Sequence, residues 1–355
     1  MEDYAGAKVV RVPLLPRGHG GSMRLIFNYL SFVLSGIWGA AFRLHGPFDV
    51  IIVFETSPIT VGIPAAFARW RFQAPILFWV LDLWPDSLAA TGAVRSPLVL
   101  GEVSRLVRWV YRRCARVLVQ SRAFIPEVVR HGVPRERVLY FPNWVEPEYR
   151  GLDARLSDKV PPLPAGFKVM FAGNIGIAQD FPAVLAAAER LKERTDVHWL
   201  IVGDGRMADW AKKKVQDCGL EEQVRFLGQQ PSETMPYFFA AADAMLVSLK
   251  SEPIFALTIP GKLQSYLACG RPVLAMLDGE GARVVEEAEA GLVCPAGDAE
   301  TLADNVVRLA ALSPEERERL GANGRRYAAT HFDRERLFDR LEEWINEAVH
   351  EERMV

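Results

Sequence analysis

The sequence predicts an α/β protein built from two Rossmann-like parallel-sheet domains, and three observations carry that reading. Short apolar runs fit for buried strands, such as Asp49–Phe54, Pro75–Val80, Phe167–Ala172 and Ala244–Leu249, alternate with segments of helical spacing. The alternation runs twice, once on each side of a stretch from Glu146 to Gly166 that is rich in proline, glycine and charge and reads as a linker. In the later half, glycine turns immediately follow two strands, Gly203-Asp204-Gly205 and Gly173-Asn174-Ile175-Gly176, and in the latter small residues let main-chain N–H groups approach a phosphate closely. A chain of 355 residues, half of them apolar, is long enough for two cores. The expected divisions are an N-terminal domain over 1–150, a C-terminal domain over 151–332 and a closing amphipathic helix over 333–355.

A net charge of −2 argues against a general nucleic-acid binder. Cys114, Cys218, Cys269 and Cys294 stand far apart and never as C-x-x-C, which leaves no metal ribbon and suits a reducing compartment. No carboxylate or histidine spacing suited to a metal is present, and no cofactor is expected. Glu2 and Asp3 are acidic where a secretory signal would be basic, so no cleavable signal is expected.

Between Arg24 and Arg43, residues 25–42 carry no charge, the bare minimum for a bilayer span. Asn28, Ser31, Ser35 and Gly39 recur three and four apart there, so a polar and small stripe runs along an apolar helix. Three readings stay open, a core-lining helix, a membrane-surface helix or a span, and the upstream Arg11, Arg17, His19 and Arg24 favour the surface. Asp49–Phe54 and Pro75–Val80 are strands, and in a parallel sheet Glu55 and Asp82, which follow them, stand at the mouth where ligands bind. Asp82 equally suits a turn cap, and Glu55 a solvent-facing loop. From Gly101 to Arg116, Val103, Leu106, Val107, Val110 and Cys114 share one helical face and Arg105, Arg108, Arg112 and Arg116 another. With Trp109 at its edge, such a helix suits an anionic membrane surface, or a plain solvated face. Val117–Ser121 and Val138–Val145 complete the strands of this half.

In the later half, Trp199–Val202 and Val224–Gln229 are strands and Met235–Ala242 is a short helix. Asp204 reads as part of a glycine turn without a ligand. After the strand Ala244–Leu249, Pro260 opens a helix that Leu263, Leu267 and Ala268 line with apolar groups and Gly270 stops. Strand, loop and helix in that order aim the free N–H groups of a helix start, and Lys262, at an anion beyond the strand end. This is a seat for a diphosphate, with a plain surface lysine as the alternative. Asp298–Leu312 is amphipathic, Ser313 caps the next helix, and Leu337, Leu341, Trp344 and Ile345 line one face of the last.

Pro260, Lys262, Tyr266-Leu267-Ala268 and Gly270-Arg271-Pro272-Val273-Leu274-Ala275 resemble the donor-binding segment of family-4 retaining glycosyltransferases of GT-B fold. Within that family the resemblance is to the branch that builds O-antigen and capsular polysaccharide and includes N-acetyl-L-fucosamine transferases. Asp82-Leu83-Trp84-Pro85-Asp86 resembles its Gln-Asp-Leu-Trp-Pro-Glu signature, Pro142-Asn143-Trp144-Val145 the turn ending its acceptor domain, and Gly173-Asn174-Ile175-Gly176 with Gln179 its Gly-Asn-Ile-Gly-x-x-Gln. The resemblance implies two Rossmann-like domains facing across a cleft, a last helix over 333–355 that crosses back to the first domain, and donor contacts from Gly173, Asn174, Gly176, Gln179, Gln229, Leu257, Thr258, Lys262 and Ser265. Leu257 and Ser265 stand where many members carry a pair of glutamates. Ser265 weakens the usual ribose contact, because a hydroxyl cannot accept two hydrogen bonds as a carboxylate can. Lys8–Pro13 matches a later strand of the family, so the first strand-helix-strand unit, with its acceptor contacts, is expected to be missing.

The expected activity is therefore a retaining, metal-independent hexosyl transfer from a UDP-sugar, the sugar N-acetylated, to a lipid-linked or saccharide acceptor at the inner face of the cytoplasmic membrane. Main-chain N–H groups and Lys262 would meet the charge of the leaving diphosphate. Asp82 and Glu55 are the catalytic candidates, and Arg105, Arg108, Arg112 and Arg116 the membrane contacts. The competing readings are a catalytically impaired, membrane-bound partner of a polysaccharide assembly complex, and a GT-B phosphorylase or UDP-hexosamine epimerase. Ser265 and the missing unit favour the impaired partner; an epimerase would need no basic membrane helix.

Overall fold

The computed structural model describes residues 2–16, 22–90, 92, 94–149 and 160–354, so Arg17, His19 and the middle of the expected linker lie outside the described residues. The chain forms two compact units, Met1–Pro142 with Phe338–Val355, and Asn143–Leu337.

In the first unit a hairpin of β1 (Glu2–Tyr4) and β2 (Ala7–Val9) precedes α1 (Ser22–Phe42). There follow β3 (Ile51–Glu55), α2 (Gly62–Phe72), β4 (Ile76–Val80), α3 (Asp86–Ala90), α4 (Pro97–Tyr111), β5 (Arg116–Val119), α5 (Phe124–Arg130) and β6 (Val138–Tyr140). β3 to β6 form a parallel sheet in that order. β4 is buried along its whole length, as its unbroken Ile-Leu-Phe-Trp-Val run requires of a strand covered on both faces. At the β3 edge, Val53 and Glu55 turn inward while Ile52 and Phe54 are exposed. The strand expected over Lys8–Pro13 is instead the β2 arm of the antiparallel hairpin, separate from the four-stranded sheet.

α1 packs by its small and polar stripe. Asn28 is buried and donates to the Leu15 carbonyl, Ser31 Oγ accepts from the Leu15 N–H, and Gly36 and Gly39 admit Pro64 and Val12. A Cβ at Gly39 would lie 2.8 Å from Val12 Cγ1, so the helix sits too close for any larger residue there. The large side chains Met23, Phe27, Leu30, Leu34, Trp38 and Phe42 are left on the outside.

The basic helix is shorter than its sequence pattern. α4 ends at Tyr111, and Arg116 opens β5 instead of extending a helical face. Its guanidinium, buried, donates to both carboxylate oxygens of Glu351 at 2.9 and 2.6 Å. Arg116 is thus removed from the membrane contacts, because a strand start buried under an ion pair cannot reach a surface. Arg105 and Arg112 are exposed, Arg108 is half-buried, and Arg113 lies 3.8 Å over the Trp109 ring.

The second unit runs β7 (Phe167–Ala172), α6 (Phe181–Arg190), β8 (Val197–Val202), α7 (Ala208–Cys218), β9 (Val224–Gly228), α8 (Met235–Ala241), β10 (Ala244–Ser248), α9 (Pro253–Ala256), α10 (Gly261–Cys269), β11 (Val273–Met276), α11 (Gly279–Glu287), β12 (Gly291–Cys294), α12 (Ala299–Ala311) and α13 (Pro314–His331). Its sheet is parallel, in the order β12-β11-β10-β7-β8-β9, so the chain's direction of travel across the sheet reverses between β7 and β10. One core packs Tyr266, Phe239 and Phe332, and another Trp199, Phe171 and Phe181. Ser313 and Glu316 exchange hydrogen bonds in a capping box ahead of α13.

The last helix, α14 (Arg334–Arg353), belongs from Phe338 onward to the first unit. There Trp344 meets Phe141 with ring centroids 6.1 Å apart, Glu352 pairs with Arg69 at 2.6 Å, and Arg353 with Asp49 at 2.9 Å.

Candidate functional site

Beyond the carboxyl ends of the second unit's strands, next to the reversal point, lies a cavity of about 760 Å³. Ligands of parallel sheets bind at such reversal points, because the loops on either side diverge and leave a crevice. The loops after β7, β8 and β9 contribute Gly173 and Asn174, Gly203 and Asp204, and Gln229 to Ser232; α10 contributes Lys262, Ser265 and Tyr266.

Two glycines bring these walls together. Gly173 has φ +130, and a Cβ there would stand 3.2 Å from Lys262 Nζ. Gly203 has φ +133, and a Cβ there would run into the Gly173 carbonyl. No residue with a side chain fits either place. Tyr266 ties α10 to the end of β7, its hydroxyl accepting from the Ala172 N–H at 2.9 Å and donating to the Ala172 carbonyl at 3.0 Å. That bond fixes the wall from which Lys262 projects.

Lys262 Nζ is buried without a hydrogen-bond partner and lies 3.7 Å from the centroid of the Phe171 ring. Burial lowers its pKa from 10.5 to about 7, and no carboxylate offsets the loss of water. An ammonium held this way lacks only an anion. Behind it, α10 starts at Gly261; the Leu263 N–H donates to the Pro260 carbonyl at 2.9 Å, and the N–H groups of Gly261 and Lys262 precede any carbonyl of the helix that could accept from them.

The main-chain cradle expected at Gly173 and Gly176 is different in the structure. The Gly173 N–H donates to the Val202 carbonyl at 2.9 Å, and the Gly176 N–H to Gln179 Oε1 at 3.0 Å. Both amides hold the loop in shape, so charge at this site falls to Lys262 and the start of α10. Gly173, Asn174, Gln229, Lys262 and Ser265 line the cavity, whereas Gly176, Gln179, Leu257 and Thr258 are not among its walls. Gln179 serves the turn, and Thr258 Oγ1 donates back to the Ile254 carbonyl at 3.1 Å. Asp204, read from sequence as a turn residue without a ligand, is part of the wall. Tyr149 and Phe239, stacked at 5.3 Å, add an aromatic wall that no sequence signal marked, since one follows a turn and the other sits among apolar helix residues.

In the first unit Glu55 is the last residue of β3 and Asp82 follows the end of β4, but neither stands in open solvent. Asp82 accepts from Trp84 Nε1 at 3.0 Å, so the tryptophan of its own motif aims it. Burial raises its pKa, and hydrogen bonds from Ser87, Trp84 and Ser57 oppose the rise. Glu55, expected at the mouth, is 0% exposed, and neither carboxylate oxygen has a hydrogen-bond partner of good geometry. Burial first, and then the Asp82 charge, push its pKa up to about 9. The inward pleat of β3 that hides Val53 also hides Glu55, and a residue so placed does not touch a ligand. Among the described residues no cluster of three metal-ligating side chains forms.

A model of glycosyl transferases group 1 matches residues 155–327, and a model of the glycosyl transferase 4-like domain matches residues 1–144. A Pseudomonas aeruginosa protein named "Probable glycosyltransferase WbjE" is 29% identical over 267 residues, which cover 71% of this chain and 64% of that one. Amylovoran biosynthesis glycosyltransferase AmsK of Erwinia amylovora is 25% identical over 191 residues, 53% of this chain and 46% of that one. The chain therefore spans less than two thirds of the length of these relatives. Among solved structures, Anabaena Alr3699/HepE in complex with UDP and glucose is similar with a TM-score of 0.69 at 16% identity, over 92% of this chain and 83% of that one. With a model matched to each half and this architecture in both units, the chain belongs to the group 1 glycosyltransferases of GT-B fold.

Proposed function

We propose that this chain is a retaining, metal-independent hexosyltransferase that moves a sugar, N-acetylated on our reading, from a UDP donor to a lipid-linked acceptor in the biosynthesis of a bacterial surface polysaccharide. The observation that carries the proposal is the buried, unpartnered Lys262 ammonium at the wall of a cavity beyond the strand ends. A departing diphosphate gains charge as the glycosidic bond breaks, and a cation already stripped of water meets that charge without reorganising. Ser265 and Gln229 line the same cavity, with the Tyr149 and Phe239 pair to flank a flat base. HepE, solved with UDP and glucose, supports the donor class, and AmsK, named for amylovoran biosynthesis, supports a biosynthetic setting.

Asp82 is the group that orients the acceptor hydroxyl, while the leaving phosphate takes its proton. For the membrane, the outer stripe of α1 offers Phe27, Leu30, Leu34 and Trp38 to the lipid interface, and Arg105, Arg108 and Arg112 offer positive charge to anionic headgroups. These features support the reading that the chain works at the inner face of the cytoplasmic membrane.

Calorimetric titration with UDP tests the donor site. Binding is expected to persist in a chelator and to weaken about a hundredfold in Lys262→Ala, the loss of a charge-assisted contact in a desolvated site. Unchanged affinity in that variant sinks the assignment of Lys262; no binding by the wild type favours the catalytically impaired partner.

A further inference from the structure

Glu55 has no part in the chemistry just proposed, yet it is the acid most deeply enclosed at the end of the first unit's sheet. It closes β3, its carbonyl accepts from the Leu81 N–H at 3.1 Å, and Asp82 comes next along the neighbouring strand's exit. Neither oxygen of its carboxyl has a partner of good hydrogen-bond geometry, and the main-chain N–H groups of Asp82 and Leu81 oppose the rise of its pKa less than burial drives it. An ionised carboxylate in that position must be compensated by a cation or by a proton. Among the described residues no cation offsets the burial of Glu55 or of Asp82, and the charge that Glu55 feels is that of Asp82.

Tyr111 of α4, wholly buried, is a further titratable group beside the pair, with Cys114 and Asp86 close to it. Burial, and then Glu55, Cys114, Asp82 and Asp86, all hold its phenol in the neutral form. The pair is therefore two carboxyls with no counter-ion, a combination in which one proton stays bound because like charges cannot both ionise at short range. The donors decide which carboxyl keeps it. Asp82 has the Trp84 indole at 3.0 Å and hydrogen bonds from Ser87 and Ser57, all of which favour its ionised form. Glu55 lacks side-chain donors, and burial takes its pKa to about 9.

We propose that Glu55 is a positioning residue, a neutral carboxyl whose bound proton leaves Asp82 as the ionised member of the pair and fixes where Asp82 points. Its role in turnover rests on the reading that Asp82 addresses the acceptor hydroxyl; the location of the proton does not. Loss of that proton at high pH puts a second negative charge behind Asp82 and ends the alignment.

Infrared spectra of the whole chain at neutral pH, with carbon-13 confined to glutamate or to aspartate carboxyls, report where the proton lies. The expected result is a protonated-carboxyl band that shifts with glutamate label only, is absent from Glu55→Gln and survives in Asp82→Asn. A band that shifts with aspartate label, or no such band in the wild type, overturns the proposal whether or not the variants fold. In kinetics, Glu55→Ala is expected to lower kcat at least tenfold and Glu55→Gln to restore most of that loss while removing the alkaline fall of kcat near pH 9. Glu55→Gln as impaired as Asp82→Asn overturns the proposal. If no donor supports transfer at all, the proposed function fails and the infrared result still decides the proton.

Discussion

Lys262 sets binding against stability within a single side chain. Its folded-state pKa, about 7, lies below the ordinary 10.5, so the unfolded chain holds this proton more tightly than the folded one. The resulting destabilisation is complete below pH 7, fades as pH rises, and is gone above 10.5, the reverse of the usual salt-bridged lysine. At about 1.4 kcal/mol per pKa unit, and allowing for relaxation of the site, Lys262→Met is expected to stabilise the chain by about 2 kcal/mol at pH 6. Urea unfolding at pH 6 and pH 10 checks this, and a gain of equal size at both would disprove it. The same shift gives UDP affinity a slope, since a bound anion needs the charged form. Above pH 7 the affinity is expected to fall by up to tenfold per pH unit. The place of Lys262 was legible because Pro260 fixes a helix start, whereas its burial depends on the Phe171 ring from a distant strand. The occupied amides of Gly173 and Gly176 were not legible, because their acceptors, Val202 and Gln179, are chosen by loop geometry and not by residue type.

At the scale of elements, α1 is inverted relative to a core helix of a soluble domain. Small and polar side chains face the protein, where Gly36 and Gly39 allow close approach and Asn28 and Ser31 satisfy the Leu15 backbone. Periodicity showed the stripe and left open which side faced inward, because an apolar helix face can meet protein or lipid equally well. If that outer face meets lipid, Leu30→Glu with Leu34→Glu removes two apolar contacts worth about 1.5 kcal/mol each, and partition onto anionic vesicles is expected to fall at least a hundredfold. Reversal of Arg105, Arg108 and Arg112, at about 1 kcal/mol per charge, is expected to act comparably at low salt and little at high salt. Co-sedimentation at two salt concentrations separates the two contributions. Wild-type protein that stays in the supernatant in both would remove the membrane from the proposal. The misplaced end of α4 follows from the same limit of pattern reading. Arg116 continues the helical spacing of Arg105, Arg108 and Arg112, but the buried run Val117-Leu118-Val119 beside it draws it into the sheet.

Across the whole molecule, two parallel sheets were legible because strands covered on both faces leave unbroken apolar runs such as Ile76–Val80 and Trp199–Val202. Contacts far apart in sequence were beyond reach, and those of α14 are the longest. From Phe338 onward this helix serves the first unit, placing Leu341 and Ala348 in buried positions and Trp344 against Phe141. It also supplies Glu351 to Arg116, whose side chain is only 10% exposed while that of Glu351 is 59% exposed. The ion pair itself contributes little at such an exposed carboxylate. Its removal is another matter, since Arg116 would be left enclosed with its charge unmatched, at a cost of about 3 kcal/mol. A chain ending at Leu337 is therefore expected to lose amide-exchange protection in β3 to β6 by at least that amount and to keep it in β7 to β12 within about 0.5 kcal/mol. Glu351→Gln alone should reproduce only a small part of the loss, because Glu347 stands 3.7 Å from the same guanidinium and can take its place. Equal loss of protection in both sheets would show that α14 supports the molecule in general and not the sheet on which it lies.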